Sequence, residues 1–165
     1  MKKIGIVMGS KSDLPVVQKA VDVLNELKIT YEAHIFSAHR TPGEAAAFAR
    51  AARENGFACV IAFAGMAAHL AGAIAANTTL PVIGVPCKGP VFDGMDALLA
   101  TVQMPSGIPV ATVAVNGGAN AALLAAEILS VGDAELARRL REKRETAAAA
   151  ILEQDAQLEK ELSHS

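Results

Sequence analysis

The sequence predicts a doubly wound α/β fold built on one parallel sheet, and three observations predict it. Five short apolar runs punctuate the chain as far as Val115. Helical patterns fill the gaps, so strand and helix alternate, which is the signature of parallel crossovers. Most of the runs are continuous rather than alternating, as expected of strands covered by helices on both faces.

The runs are "KIGIVMG", "EAHIFS", "CVIAFAG", "PVIGVP" and "PVATVAV". The first helix follows "GSKSD", with Val17, Ala20, Val21, Leu24 and Leu27 on one face at helical spacing. The second opens at "TPGE", where Thr41 suits the N-cap, Pro42 the first turn and Glu44 the reciprocal position of a capping box. The third, near Ala67 to Ala76, is almost entirely Ala, Leu and Ile, which predicts burial on more than one side. The fourth runs from about Asp93 to Val102, and the fifth starts near Asn120. After Gly132 the chain becomes a long charged helix with a weaker apolar stripe and no strand behind it. Residues 1–132 therefore form the expected α/β unit. Residues 133–165 form a helical extension that packs on its own subunit or reaches a neighbour. Five strands favour the order 2-1-3-4-5 of flavodoxin-like, three-layer α/β/α proteins over the longer dinucleotide fold.

Composition narrows the function. The chain has 165 residues, 52% hydrophobic and 19% charged, which fits one globular domain and excludes disorder. A formal net charge of −2 argues against a nucleic-acid surface. Two cysteines, Cys59 and Cys87, are too few for a disulfide framework. The first apolar run is too short for a signal peptide, and no stretch of membrane-span length lacks a break. A reducing, cytoplasmic setting is expected. With no Trp and only Tyr31, a site built on aromatic stacking is not expected.

Ligands of such sheets bind beyond the carboxyl ends of the strands, where strand order reverses. In the order 2-1-3-4-5, the exits of strands 2, 1 and 3 adjoin. Strand 1 exits into Gly9-Ser10-Lys11-Ser12-Asp13, where a glycine permits a close turn and a helix start offers amides to an anion. Asp13 can accept from a sugar diol, and Ser12 or Asp13 equally suits helix capping. The segment lacks both a P-loop ending and G-x-G-x-x-G. Strand 2 exits into Ser37-Ala38-His39-Arg40. Arg40 can grip a phosphate in bidentate fashion, and His39 offers an imidazole, the side chain most often used for proton transfer. A backbone-bonded loop histidine beside a solvated arginine would read the same way. Strand 3 exits into Ala64-Gly65-Met66-Ala67-Ala68-His69-Leu70. His69 falls in a helical first turn, where a neutral, hydrogen-bonding ring is expected. A histidine satisfied within the core is the alternative there. Of the four histidines (His34, His39, His69 and His164), His39 and His69 share this edge without Cys or carboxylate companions at metal-ligand spacing.

The segments "GSKSD", "SAHRTP", "AGMAAHLAG", "LPVIGVP", "VQMPSGIPVATVAV" and "NAALLAAEIL" occur in this order. Together they resemble the N5-carboxyaminoimidazole ribonucleotide mutases of bacterial purine synthesis, over nearly all of the chain up to about Leu129. The resemblance implies an isomerase that moves a carboxylate from the exocyclic amine of an aminoimidazole ribonucleotide to the adjacent ring carbon. It implies no metal, ATP or organic cofactor, a small ribonucleotide as substrate, and a homo-oligomer, typically an octamer. By the same resemblance His39 is the acid–base. Ser10, Ser12, Ser37 and Arg40 contact the phosphate end beside Gly9, and Asp13 holds the ribose. Gly65, Ala68, His69 and Leu70 line the pocket for the carboxylate and imidazole.

The sequence departs from that pattern at Met66, where the family usually has Gly, and at Ala71, where it has Pro. It departs again at Cys87, Lys88 and Phe92, in a segment that is commonly small and serine-bearing. Two other readings stand beside the mutase. One is the related carboxylase that uses free carbon dioxide, whose branch carries Arg-Ser-Asn where this chain has Met66-Ala67-Ala68-His69. The other is a flavin- or nucleotide-binding module without chemistry.

Overall fold

The computed structural model describes residues 2–163, so His164 lies outside the described residues. The strands are β1 (Lys3–Met8), β2 (Tyr31–Ile35), β3 (Phe57–Gly65), β4 (Val82–Cys87) and β5 (Ala111–Thr112). The helices are α1 (Leu14–Glu26), α2 (Pro42–Ala51), α3 (Leu70–Ala75), α4 (Met95–Val102), α5 (Gly118–Ser130) and α6 (Ala134–Ser163). A short 3-10 turn, Lys11–Asp13, leads into α1. The sheet is wholly parallel, in the order β2-β1-β3-β4-β5. The predicted fold class and strand order are the observed ones.

Strand alternation sorts the core into two layers. Ile4, Ile6 and Met8 point to one face, where Val17, Ala20 and Leu24 of α1 and Ala121, Ala122, Ala125 and Ala126 of α5 bury them. Val7, Val60 and Ala62 point to the other face, under Ala45 and Ala49 of α2 and Leu70, Ala71 and Ile74 of α3. Because β1, β3 and β4 are covered on both sides, nearly every residue in them is apolar.

The edges differ from the expectation of fully covered strands. No residue of β2 is fully buried. Glu32 and His34 occupy its alternate positions and bond each other at 2.9 Å. The predicted strand "PVATVAV" contracts to a two-residue ladder against Ile83 and Gly84. Only one neighbour pairs with it, and the chain leaves the sheet early to place Asn116, whose N–H reaches the Pro86 carbonyl at 2.9 Å.

The capping box expected at Thr41 and Glu44 does not form. The Thr41 hydroxyl turns back to Ser37 instead, accepting its N–H at 2.8 Å. The capping box occurs one crossover earlier. Asp13 Oδ2 accepts the Ser10 N–H at 3.2 Å, and Ser10 Oγ accepts the Ser12 N–H at 3.3 Å. The first turns of α6 join the main core through Leu136 and Leu140. Arg139 donates to the Leu27 carbonyl at 2.6 Å, and Lys143 pairs with Glu26 at 2.7 Å. From Arg144 to Ser163 every residue of this helix is exposed.

α1 and α5 meet at backbone contact. A Cβ added to Gly118 would lie 2.2 Å from the Val16 carbonyl oxygen, which a rigid helix cannot move aside. Gly118→Ala is therefore expected to destabilise the fold by about 1–3 kcal/mol, the usual range for overpacking. Urea unfolding monitored by circular dichroism measures it, and an unchanged midpoint would contradict the close contact.

Candidate active site

β1 lies between β2 and β3, so the connections after β1 and β3 depart on opposite sides of the sheet and leave a crevice at the strand exits. A cavity of about 620 Å³ occupies it, within the range of small-molecule sites. The first exit contributes Gly9, Ser10, Ser12 and Asp13. Ser12 Oγ donates to Ser10 Oγ at 2.9 Å, so the two hydroxyls form one polar rim. Packing alone does not demand glycine at position 9, since an added Cβ would meet nothing closer than 3.8 Å.

The second exit is organised by Ser37. Its hydroxyl accepts the N–H groups of His39 (3.3 Å) and Arg40 (3.1 Å), which folds the two residues into a tight turn. The Arg40 guanidinium donates through Nη2 to the Gly9 carbonyl at 3.1 Å and so ties the second exit to the first. His39 and Arg40 are both exposed and both line the cavity.

The third exit contributes Gly65, Met66, Ala67, His69 and Leu70. An added Cβ at Gly65 would sit 3.3 Å from the Cys87 carbonyl oxygen, so β3 and β4 approach closely where the chain turns. Met66 has φ +57°, a left-handed conformation that favours glycine, and its side chain is 67% exposed. His69 immediately precedes α3 and is exposed to the cavity, not enclosed in the core. Its ring rests over Gly72, where an added Cβ would fall 2.5 Å from Cε1.

Of the eleven residues predicted for the site, ten line this one cavity. The exception is Ala68, which is 1% exposed and points inward; its carbonyl lies 3.2 Å from Thr101 Oγ1. The N–H groups of Ala68 and His69 are bonded within the turn, to the carbonyls of Met66 and Ala67 at 2.8 Å each. These two N–H groups are therefore not free to orient a carboxylate. The sequence-based set also omits the exit of β4, from which Lys88, Gly89 and Pro90 complete the wall. The signal was available in the strand order, which puts β4 beside β3.

Burial raises the Asp13 carboxyl above its ordinary value, opposed by the Ser10 N–H and by the Cys87 thiol. Burial pushes the Cys87 thiol up to about 12, and the negative charge of Asp13 adds to the shift. Cys87 is thus a neutral S–H beneath Asp13. Among the described residues, no group of three or more His, Cys, Asp or Glu side chains could hold a metal ion. Among the described residues, no helix is long and apolar enough to cross a membrane. A second concavity, near the amino ends of the strands, is larger at about 1010 Å³. Its two arginines are committed to its own wall: Arg50 to Asn77 at 3.0 Å and Arg53 to Thr79 at 2.9 Å.

Fold and cavity together define a flavodoxin-like α/β protein with a histidine-bearing cavity at its topological switch point. The chain belongs to the AIR carboxylase family, which matches residues 3–150. It is 52% identical over 157 residues to a Bacillus subtilis (strain 168) protein named N5-carboxyaminoimidazole ribonucleotide mutase, covering 94% of this chain and 97% of that one. It is 55% identical over 130 residues to an Ogataea methanolica phosphoribosylaminoimidazole carboxylase, covering 79% of this chain but 24% of that longer one. Among solved structures, it resembles PurE of Treponema denticola with a TM-score of 0.82 and 32% identity, covering 94% of this chain and 97% of that one.

Cys59 is fully buried and its thiol, like that of Cys87, is pushed up to about 12. Thiolate is the reactive form, so raised values suppress reaction. At pH 8 Ellman's reagent is expected to titrate neither thiol in the folded protein and both after denaturation. Rapid reaction of a native thiol would contradict the burial of these side chains.

Proposed function

We propose that this chain is an isomerase that converts N5-carboxyaminoimidazole ribonucleotide to 4-carboxy-5-aminoimidazole ribonucleotide, a step of purine (IMP) biosynthesis. The observation that carries the reading is the opening of three strand exits onto one cavity, with His39, Arg40 and the Ser10–Asp13 turn around it. The mutase name of a 52% identical relative of nearly equal length supports it. The carboxylase name belongs to a relative of which 24% is matched, and Met66-Ala67-Ala68-His69 differs from the Arg-Ser-Asn stretch expected of the carbon dioxide-dependent branch.

The roles follow from position and chemistry. Arg40, Ser10, Ser12 and Ser37 take the phosphate, since a guanidinium and three hydroxyls supply the donors a dianion needs. Asp13, half-buried beside them, accepts from the ribose hydroxyls. Gly65, His69 and Leu70 bound the space for the imidazole, with Ala68 buried behind them. His39 carries the proton. A carbamate loses carbon dioxide once its nitrogen is protonated, and the acid form of His39 supplies that proton. The freed carbon dioxide must stay beside the electron-rich ring until the ring carbon attacks, which requires a closed, largely dry pocket around the bound substrate. Attack by the ring carbon leaves that carbon with an extra proton. The now neutral His39 removes it, restoring aromaticity and its own starting state. The protonations balance within one residue, so no cofactor is required.

The proposal extends to a homo-octamer acting in the cytoplasm, with residues 1–132 as the catalytic unit and 133–165 as the helical extension. Exposed apolar side chains support assembly: Phe92, Met95 and Leu99 near α4, and Ile151, Leu152, Leu158 and Leu162 on α6.

Incubation with the carbamate substrate, without ATP or added metal, is expected to yield the ring-carboxylated isomer. Activity appearing only with aminoimidazole ribonucleotide plus bicarbonate would favour the carboxylase, and a coloured purified protein would favour a flavin module. His39→Asn is expected to lower kcat by about 10²–10⁴-fold, the usual share of a positioned acid–base group, with nucleotide affinity little changed. Near-normal turnover would remove the role. Arg40→Ala is expected to weaken binding of the phosphorylated substrate by roughly 10–100-fold, as for loss of a charged hydrogen-bond partner, with kcat much less affected. Unchanged affinity by calorimetry would overturn the phosphate assignment.

A further inference from the structure

We propose that Lys88 binds the migrating carboxylate of the substrate and is the second charged anchor of the site. The inference rests on the reaction proposed above and adds to it a residue outside the motifs that carry the family resemblance.

A ligand of this reaction is anionic at two ends, phosphate and carboxylate. Two permanently cationic side chains line the cavity, Arg40 and Lys88. They stand on opposite flanks, Arg40 leaving β2 and Lys88 leaving β4. These strands are three sheet spacings apart, about 14 Å between main chains. Each cation is held on its own flank, Arg40 by the Gly9 carbonyl at 3.1 Å and Lys88 by Asp93 at 2.9 Å. They are thus placed to meet two separate anions and not one. Two backbone donors of the third exit, the Ala68 and His69 N–H groups, are already bonded within their turn.

The immediate surroundings of Lys88 suit an exchangeable carboxylate contact. Its main chain is fixed, with its N–H donating to Asn116 Oδ1 at 2.9 Å. Its ammonium is not fixed in the same sense, since the pair with Asp93 is largely in solvent, with side chains 57% and 82% exposed. Exposed pairs of this kind are weak and readily exchanged. Asp93 (φ +52°) and Gly94 (φ +91°) are consecutive left-handed residues that turn the loop back and bring the Asp93 carboxylate over Lys88. Asp93 itself does not line the cavity, so the Lys88 ammonium exchanges this solvent-exposed partner for the substrate's carboxylate when the site fills.

The test compares two nucleotides that differ in the carboxylate alone. Calorimetry measures binding of the ring-carboxylated product and of aminoimidazole ribonucleotide, which lacks the group. For Lys88→Met, the carboxylated nucleotide is expected to bind roughly 10-fold more weakly, as for loss of one charge-assisted bond. Aminoimidazole ribonucleotide should change by less than about twofold. Lys88→Arg should retain most of the affinity, since it keeps the charge. Asp93→Asn, which suits the left-handed backbone, should bind the carboxylated nucleotide as well as or better than the parent. Equal losses for both nucleotides in Lys88→Met, no loss for either, or the same loss in Asp93→Asn would overturn the assignment. The last would trace the effect to the loop's ion pair. If the parent protein binds neither nucleotide, the reaction itself is misassigned and the role of Lys88 falls with it.

Discussion

β1 lies between two parallel neighbours, with Ile6 beside Ala33 of β2 on one side and Ile61 of β3 on the other. That double pairing decides where the molecule opens. A parallel connection must cross over a face of the sheet, and crossovers keep one hand. Moving outward to β2 and then back past β1 to β3 sends successive helices to opposite faces. No helix can then cover the rim between them. The carboxyl ends of β1, β2 and β3 converge on the gap, and whatever side chains follow those strands face one another. Ser37, Gly9 and Gly65 belong to different segments of the sequence and meet for this reason alone.

The polar residues at this rim are themselves arranged by the backbone before any ligand is considered. Ser37 gathers the N–H groups of His39 and Arg40 on its hydroxyl, and Thr41 secures Ser37 from the other side. The Ser10 and Asp13 pair closes the start of the first connection. Asp13 is therefore both a capping group and a wall of the cavity, and its half-buried carboxyl is maintained against desolvation by a backbone N–H and a thiol. The two uses of Asp13 open in the sequence, capping and binding, are compatible in one geometry.

Much of this was legible in the residues. Continuous apolar runs located β1, β3 and β4, because strands buried on both faces admit few polar residues. The spacing of Val17, Ala20 and Leu24 located α1. β5 was overextended, because "PVATVAV" has the composition of a strand but a partner on one side only. Thr41 was misread because its hydroxyl had two acceptable partners, and only the path of the loop chose Ser37. Ala68 belonged to a short motif whose members do not all face one way, and a tight turn sends its methyl inward. The β4 exit was passed over because its Cys87-Lys88-Gly89 departs from the pattern that made the other three exits recognisable. Met66 carried a hint in the same departure: a position usually glycine is one whose backbone adopts φ +57°.

The link from Arg40 to the Gly9 carbonyl has a thermodynamic meaning beyond the bond itself. A solvated arginine samples many rotamers and surrenders up to about 2 kcal/mol of side-chain entropy on being immobilised. Here one nitrogen of the planar fork is occupied by main chain, so folding has already absorbed part of that loss. The remaining N–H groups are aimed by the scaffold. In the role proposed for Arg40, an incoming phosphate would meet a cation already partly oriented by the fold.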